Sequence, residues 1–177
     1  MTRCLEIGPG PNPVHPSWDT LDAVDRPGVT FRAEWGAEPI PADDDTYDLV
    51  YASHVLEHVP WFQTRHALRE TFRVLKPGGA VEIWVPDFRK IVAGYVESCC
   101  RDNWRKHNPA GDPMLWVNGR IFTYGPGANW HRACFDFDWL VKSLETAGFT
   151  DCRRLDRPRG TDHGPINLGV RGLKLKG

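Results

Sequence analysis

Charge of one sign is what this chain most lacks. Its 177 residues carry 22 Lys and Arg against 23 Asp and Glu, a formal net charge of -1. No overall field therefore favours nucleic acid or an anionic membrane, and a partner has to be argued from a site. Cysteine pairs at metal spacing are also missing. Five cysteines, an odd number, include the neighbours Cys99 and Cys100, and no CxxC occurs, which excludes a disulfide framework and a thiolate zinc site. Reduced thiols and a cytoplasmic location are expected. No apolar run approaches the ~20 residues that span a bilayer, and MTRCLEI has no basic region leading into an apolar signal stretch. Internal repeats and low-complexity tracts are absent as well. The expectation is a soluble protein with no membrane and no nucleic-acid partner.

What is present suits one compact domain over residues 1–177, with 41% hydrophobic residues to build its core. Short strand-like runs recur through the first half: RCLEIG, WDTLDAV, VTFRAE, YDLVYASH and AVEIWVP. YDLVY and AVEIWV lack clean alternation, as expected of strands buried on both faces of a parallel sheet. Helical spacing marks WFQTRHALRETFRVL, with Trp61, Leu68, Phe72 and Leu75 on one stripe and Lys76, Pro77, Gly78 and Gly79 as its stop. FRKIVAGYVESCC follows, with Phe88, Ile91, Val92, Tyr95, Val96 and Cys99 inward. FDWLVKSLETAGF is capped by Asp136 and closed by Gly148. The tail reads as two strands around a polar loop. Between Asn103 and Arg132 the pattern dissolves into Gly, Pro, Trp and basic residues, and an irregular excursion of that length is expected to be functional.

The run CLEIGPGPNP puts a strand straight into a Gly-Pro-Gly turn. Gly8 and Gly10 would let a ligand approach main chain at the carboxyl end of a parallel sheet, where open α/β folds keep their crevice. Pro13 stands where a dinucleotide fingerprint wants its third glycine, so a pyrophosphate is disfavoured. Pro11, Pro13 and Pro16 make residues 11–17 an extended connection without a full helix. Acids close the next strands, Glu6, Asp22 and Glu34 in turn. A ligand with hydroxyls, an amine and a positive centre, but no phosphate, matches them.

LEIGPG, LDAV, AEWGAEPIPADDDTYDLVYASHVLEHV and LRETFRVLKPGGAVEIWVPD together resemble the motif series of class I S-adenosylmethionine-dependent methyltransferases, in the small methyltransferase-11-like subgroup. The likeness covers residues 4 to about 87 and continues more loosely through WHRACFDFDWLVKSLETAGF. It implies a Rossmann-like, doubly wound α/β sheet of seven strands in a single domain, mostly parallel, with the last strand antiparallel. It implies S-adenosyl-L-methionine as cofactor. By position, Gly8 and Gly10 would approach its methionine part, with Glu6 helping the ammonium, and Asp22 would accept from the ribose hydroxyls. Glu34 and Trp35 would lie beside the adenine, and Ser53 and His54 would border the methionine and sulfonium. The family's usual helix before the first strand has no counterpart, and the excursion at 103–132 is the candidate cover for cofactor and acceptor.

Residues 54–58, HVLEH, also fit H-x-x-E-H, a zinc peptidase signature in which His54 and His58 would bind metal and Glu57 would act on water. Strand character before His54 and Pro60 two residues after His58 oppose the helix this needs, so no metal is expected. Methyl transfer is an in-line displacement that needs alignment and exclusion of water. A hydroxyl acceptor also needs a base, for which His58 and His131 are the candidates. The expected enzyme methylates a small-molecule or glycan hydroxyl, with Trp104, Trp116 and Trp130 available to stack on a sugar. A non-catalytic cofactor-binding module and the zinc hydrolase are the alternatives.

Overall fold

The computed structural model describes residues 2–97, 112–123 and 129–176. Five strands come first: β1 (Cys4–Ile7), β2 (Asp19–Asp22), β3 (Phe31–Arg32), β4 (Tyr47–Ser53) and β5 (Leu75–Pro86). Helix α1 (Thr64–Val74) joins β4 to β5, and α2 (Phe88–Glu97), α3 (Pro113–Phe122) and α4 (Phe137–Ala147) precede the final strands β6 (Thr150–Leu155) and β7 (Asn167–Leu173). The seven strands form one sheet in the order β3-β2-β1-β4-β5-β7-β6. β1 to β5 run parallel, and β7 is antiparallel to both neighbours, as expected. Among the described residues no helix is long and apolar enough to cross a membrane.

The two-residue period of the strands sorts the sheet into two unlike faces. Leu5, Ile7, Val50, Ala52, Val81, Ile83, Leu168 and Val170 enter the main core with Ala67, Leu68 and Val74 of α1 and Leu140 and Leu144 of α4. Cys4, Leu49 and Ala80 alternate with them and meet Trp18 and Leu173 on the other side. The next row on that second face is polar, since Glu6, Tyr51, Glu82 and Arg171 lie side by side across four strands. Arg159 grips Glu82 in a fork at 2.6 and 2.9 Å, and Arg171 adds a third bond at 3.0 Å. The Glu6 carboxylate accepts from the Val14 amide at 2.8 Å. Proline-rich chain 8–18 and the loop before β7 thus cover this face, with ion pairs where a doubly wound sheet elsewhere uses helices.

The turn residues act much as their chemistry requires. Asp136 caps α4 by accepting from the Trp139 amide at 2.9 Å, and Gly148 closes it at φ +114°. Lys76, Pro77, Gly78 and Gly79 loop out between Leu75, which faces Tyr47, and Ala80, which faces Leu49. Trp61 departs from its expected inward place: α1 starts at Thr64, and Trp61 sits in a preceding 3₁₀ turn, largely exposed. On α2 only Ile91 of the expected apolar stripe is buried, while Val92, Tyr95 and Val96 are exposed; Cys99 lies outside the described residues.

The excursion is not irregular throughout. Pro113–Phe122 is helical because Asp112 accepts from the amides of Met114 and Leu115 and Pro113 presets the first turn. Asp-Pro is a local helix-start signal within a segment read as irregular. Trp116 is fully buried with Ile91 and Ile166, so it packs α3 against α2 and is not available to stack on a sugar. Trp104 lies outside the described residues.

A Cβ at Gly169 would come within 2.5 Å of the Trp84 ring across the β5–β7 pair. Gly169→Ala should therefore destabilise the protein by about 1–3 kcal/mol through overpacking. Chemical denaturation at equilibrium measures this, and an unchanged midpoint would show that Trp84 swings aside freely.

Candidate functional site

The carboxyl ends of β1, β2 and β4 open into a cleft of about 540 Å³. Gly8, at φ +66°, turns β1 beneath Val55, and its amide donates to Leu21 O at 2.8 Å. A Cβ there would stand 2.3 Å from Val55 Cγ2, so the turn needs glycine for packing alone. Gly10, at φ +59°, is different: nothing lies within 4 Å of where its Cβ would be, and its bare backbone borders the cleft. Asp22 ends β2 with Oδ1 accepting from the Val24 amide at 2.9 Å, while Oδ2 has only a distant Arg26 at 3.9 Å. Glu34 and Trp35 form the far wall. Trp35 is itself core, buried with Nε1 donating to Ala67 O at 3.0 Å. Arg132 reaches toward Glu34 from the opposite rim, 3.9 Å away.

Gly8, Gly10, Asp22, Glu34, Trp35, His54 and His58 are thus gathered in one place. Glu6 and Ser53 do not line this cleft. Alternation explains both, because Glu6 and Ser53 share the parity of Tyr51 and Trp84 and turn toward the second face.

A second cleft of about 340 Å³ adjoins the first and shares His54, His58 and Asn129 with it. His131, His163, Arg120 and Glu57 belong to its lining. His54 sits at φ +56°, outside β4's extended geometry. Asn167 spends its Nδ2 on Asp162 at 2.6 Å, so its Oδ1 accepts from His54 Nε2 at 2.9 Å. The other ring nitrogen, Nδ1, lies 3.2 Å from Glu57 Oε1. Burial alone would lower the His54 pKa, but contacts with Glu57 and Asn167 hold it above its ordinary value. Burial likewise acts to raise Glu57, and the neighbouring His54, His58 and His131 bring it below. The ring of His163 packs on His54 at 3.9 Å between centroids. Its pKa is lowered by burial and by His54.

His58 and His131 meet edge to face, with centroids 4.9 Å apart. Each has Nδ1 at a backbone carbonyl, His58 at Trp130 O, 3.3 Å, and His131 at Arg120 O, 3.0 Å. A carbonyl only accepts, so both rings donate from Nδ1, and Nε2 is the nitrogen that carries the lone pair of the neutral ring. Burial lowers the pKa of His131, which keeps it neutral near neutral pH. The Glu57 backbone oxygen accepts from the amides of Arg132 and Ala133 at 2.7 and 3.2 Å, which fastens the chain around His131 to this turn.

HVLEH does not form the helix that a zinc peptidase needs. Only a single 3₁₀ turn spans Leu56–His58, and left-handed His54 lies before it, so His54 and His58 are not presented on one helical face. Glu57 is also sealed from solvent and cannot act on an open water as that mechanism requires. His163, Asn167 and Asp162, which orient His54, were not among the sequence candidates. Their only signal was the polar loop before β7.

Residues 17–83, from just before β2 into β5, match the family model described as a methyltransferase domain. The glycine turn at the end of β1 and the strand order place that match on a complete seven-stranded sheet. Its sheet is built as S-adenosylmethionine-dependent methyltransferases build theirs. Its fold is similar to a Thermotoga maritima structure described as a methyltransferase and possible histamine N-methyltransferase. The two share 18% identity at a TM-score of 0.60, over 98% of this chain and 83% of that one. An Archaeoglobus fulgidus S-adenosylmethionine-dependent methyltransferase is similar at 14% identity and a TM-score of 0.61, over 98% and 86% of the two chains. The apo form of the methyltransferase SibL shares 22% identity at a TM-score of 0.60, over 99% of this chain but 51% of SibL. Comparison with curated proteins found no match.

Between pH 4.5 and 6.5 the protein should carry its His54–Glu57 pair as an imidazolium and a carboxylate. The raised His54 contributes stability in full below the ordinary histidine value of 6.5, and loses it as pH rises through the folded pKa. The lowered Glu57 contributes in full above 4.5 and loses it as pH falls through its folded value. The pair is therefore at full strength between those two values. An NMR titration of chelator-treated protein should show His54 titrating above 6.5, and Glu57→Gln should bring it down. An unchanged titration in the variant would dismiss the pairing.

Proposed function

We propose that this protein is an S-adenosylmethionine-dependent methyltransferase that acts on a hydroxyl of a small molecule or glycan, with its cofactor in the larger cleft and its acceptor in the adjoining one. The observation that carries the reading is the shared wall: His54 and His58 border both clefts, and His58 and His131 present ring nitrogens with free lone pairs beside it. S-adenosyl-L-methionine, when bound, supplies a methyl group on a sulfonium for in-line transfer. The residues at hand fit it. Gly10 offers bare backbone, Asp22 has a carboxylate oxygen free for ribose hydroxyls, and Glu34 and Trp35 flank the place for the adenine. His54 would stand toward the methionine end with Gly8.

An acceptor hydroxyl must lose its proton as its new bond forms, and a neutral imidazole is the apt recipient. His131 is held neutral by burial and aimed by its bond to Arg120 O, and His58 is its partner. We read residues 1–177 as one domain in which described residues of the 103–132 segment contribute the acceptor wall. Arg120, Asn129 and His131 come from that segment, and Trp130 is exposed beside it. Polar groups on several sides suit a polyhydroxylated acceptor better than an apolar one.

Calorimetry with S-adenosylmethionine and S-adenosylhomocysteine should show saturable binding. Asp22→Ala should weaken it by about 1–3 kcal/mol, or roughly 5- to 150-fold. An unchanged affinity would move the ribose site elsewhere. With labelled cofactor, His131→Gln should lower kcat for sugar hydroxyls while cofactor affinity stays put, and methyl transfer only to amines would overturn the hydroxyl reading.

A further inference from the structure

Among the described residues, Glu57 is the buried carboxylate that no hydrogen bond accounts for. It is 1% exposed and neither carboxylate oxygen has a hydrogen-bond donor. Its contact with His54 Nδ1, at 3.2 Å, falls outside hydrogen-bond geometry. The His54 ion pair balances the charge of Glu57 but fills neither oxygen's lone pairs, and a carboxylate so buried is costly unless a donor or a bound cation fills them.

Two further ligand-capable groups face it. One donor atom from each of Glu57, His58 and His131 lies within 4.8 Å of the other two. The two imidazoles both give Nδ1–H to main-chain carbonyls, which fixes their tautomer and leaves Nε2 as the donor pair. That is the outer-shell arrangement that orients histidines for metal. We propose that Glu57, His58 and His131 form a site for one divalent transition-metal ion at the edge of the acceptor cleft.

The donor set selects the ion class. Two imidazoles coordinating through Nε2 and a carboxylate suit Zn²⁺, Co²⁺ or Fe²⁺, whereas Mg²⁺ and Ca²⁺ want oxygen alone. Ligand atoms ~2.1 Å from an ion stand about 3.4 Å apart in a tetrahedron, so the cluster has to contract by little more than an ångström. Three protein ligands leave a position open, and all three residues line the 340 Å³ cleft. Only the use of that position rests on the hydroxyl reading above: an acceptor hydroxyl placed there would be more acidic, and the histidines would then serve as ligands and not as bases. The site differs from the peptidase pattern in using Glu57 as a ligand and His131, from a distant loop, in place of His54.

Chelator-treated protein titrated with Co²⁺ and followed by visible absorption tests the site directly, with S-adenosylhomocysteine calorimetry on the same samples. One Co²⁺ per chain with intense low-symmetry bands is expected. Affinity should fall at least about 100-fold in His131→Ala and in His58→Ala and be kept in His163→Gln. Circular dichroism reports that the variants are folded, and half-exposed His58 keeps the test open should His131→Ala fail to fold. Wild-type protein that binds S-adenosylhomocysteine but takes up no Co²⁺ overturns the metal site and leaves the methyltransferase reading intact. Uptake that survives both histidine substitutions overturns the ligand assignment. Uptake without nucleoside binding supports the metal site and counts against the cofactor cleft instead.

Discussion

A carboxylate sealed from water at Glu57 sets the terms for everything around it. Its backbone oxygen ties the chain at Arg132 and Ala133 to the turn after β4, and its side chain collects His54, His58 and His131. An ionised group so placed must be balanced by positive charge or donated protons. The histidines are the groups available, and they come from three separate parts of the chain: the end of β4, the turn after it and the segment before α4. His163, from the loop before β7, is drawn in by its packing on His54. The two clefts share a wall because this one side chain draws their borders together.

The same demand for pairing organises the opposite face of the sheet. A row of Glu6, Tyr51, Glu82 and Arg171 across the strands could not be left under a purely apolar cover. It is met by Arg159 and by the Val14 amide, both on loops. Prolines in the first connection suit that task, since they hold chain extended over the sheet and leave the Val14 amide free to donate to Glu6. The other face carries the apolar load with α1 and α4, and the fold is asymmetric for that reason.

Much of this was legible in local chemistry. Strand runs, the Asp136 cap, the Gly148 stop and the antiparallel final strand follow from periodicity, capping preference and the family likeness, and the structure shows them in place. Gly8, Gly10, Asp22 and Glu34 were legible as strand-end residues and meet in the larger cleft. Glu6 and Ser53 were chosen by motif position and turn away, because parity on a strand decides the side and neither motif nor composition counts parity. Trp116 looked like a candidate for sugar stacking and is buried, because burial depends on whether a partner helix lies opposite. α3 was masked by the glycines and prolines around it.

Sequence by itself determined the class of sheet, the strand-end acids, the glycine turn and the absence of a first crossover helix, all of which are written in contiguous residues and their spacing. Tertiary structure alone decided what HVLEH is. Its five letters fit a metal helix, but β4 runs on to Ser53 and forces His54 into a left-handed turn, leaving only a 3₁₀ turn for Glu57 and His58. Their partner is His131, which lies 73 residues beyond His58 in the chain and within a few ångströms in space. No local pattern encodes that meeting, since it depends on the main-chain bonds that dock residues 132 and 133 onto Glu57.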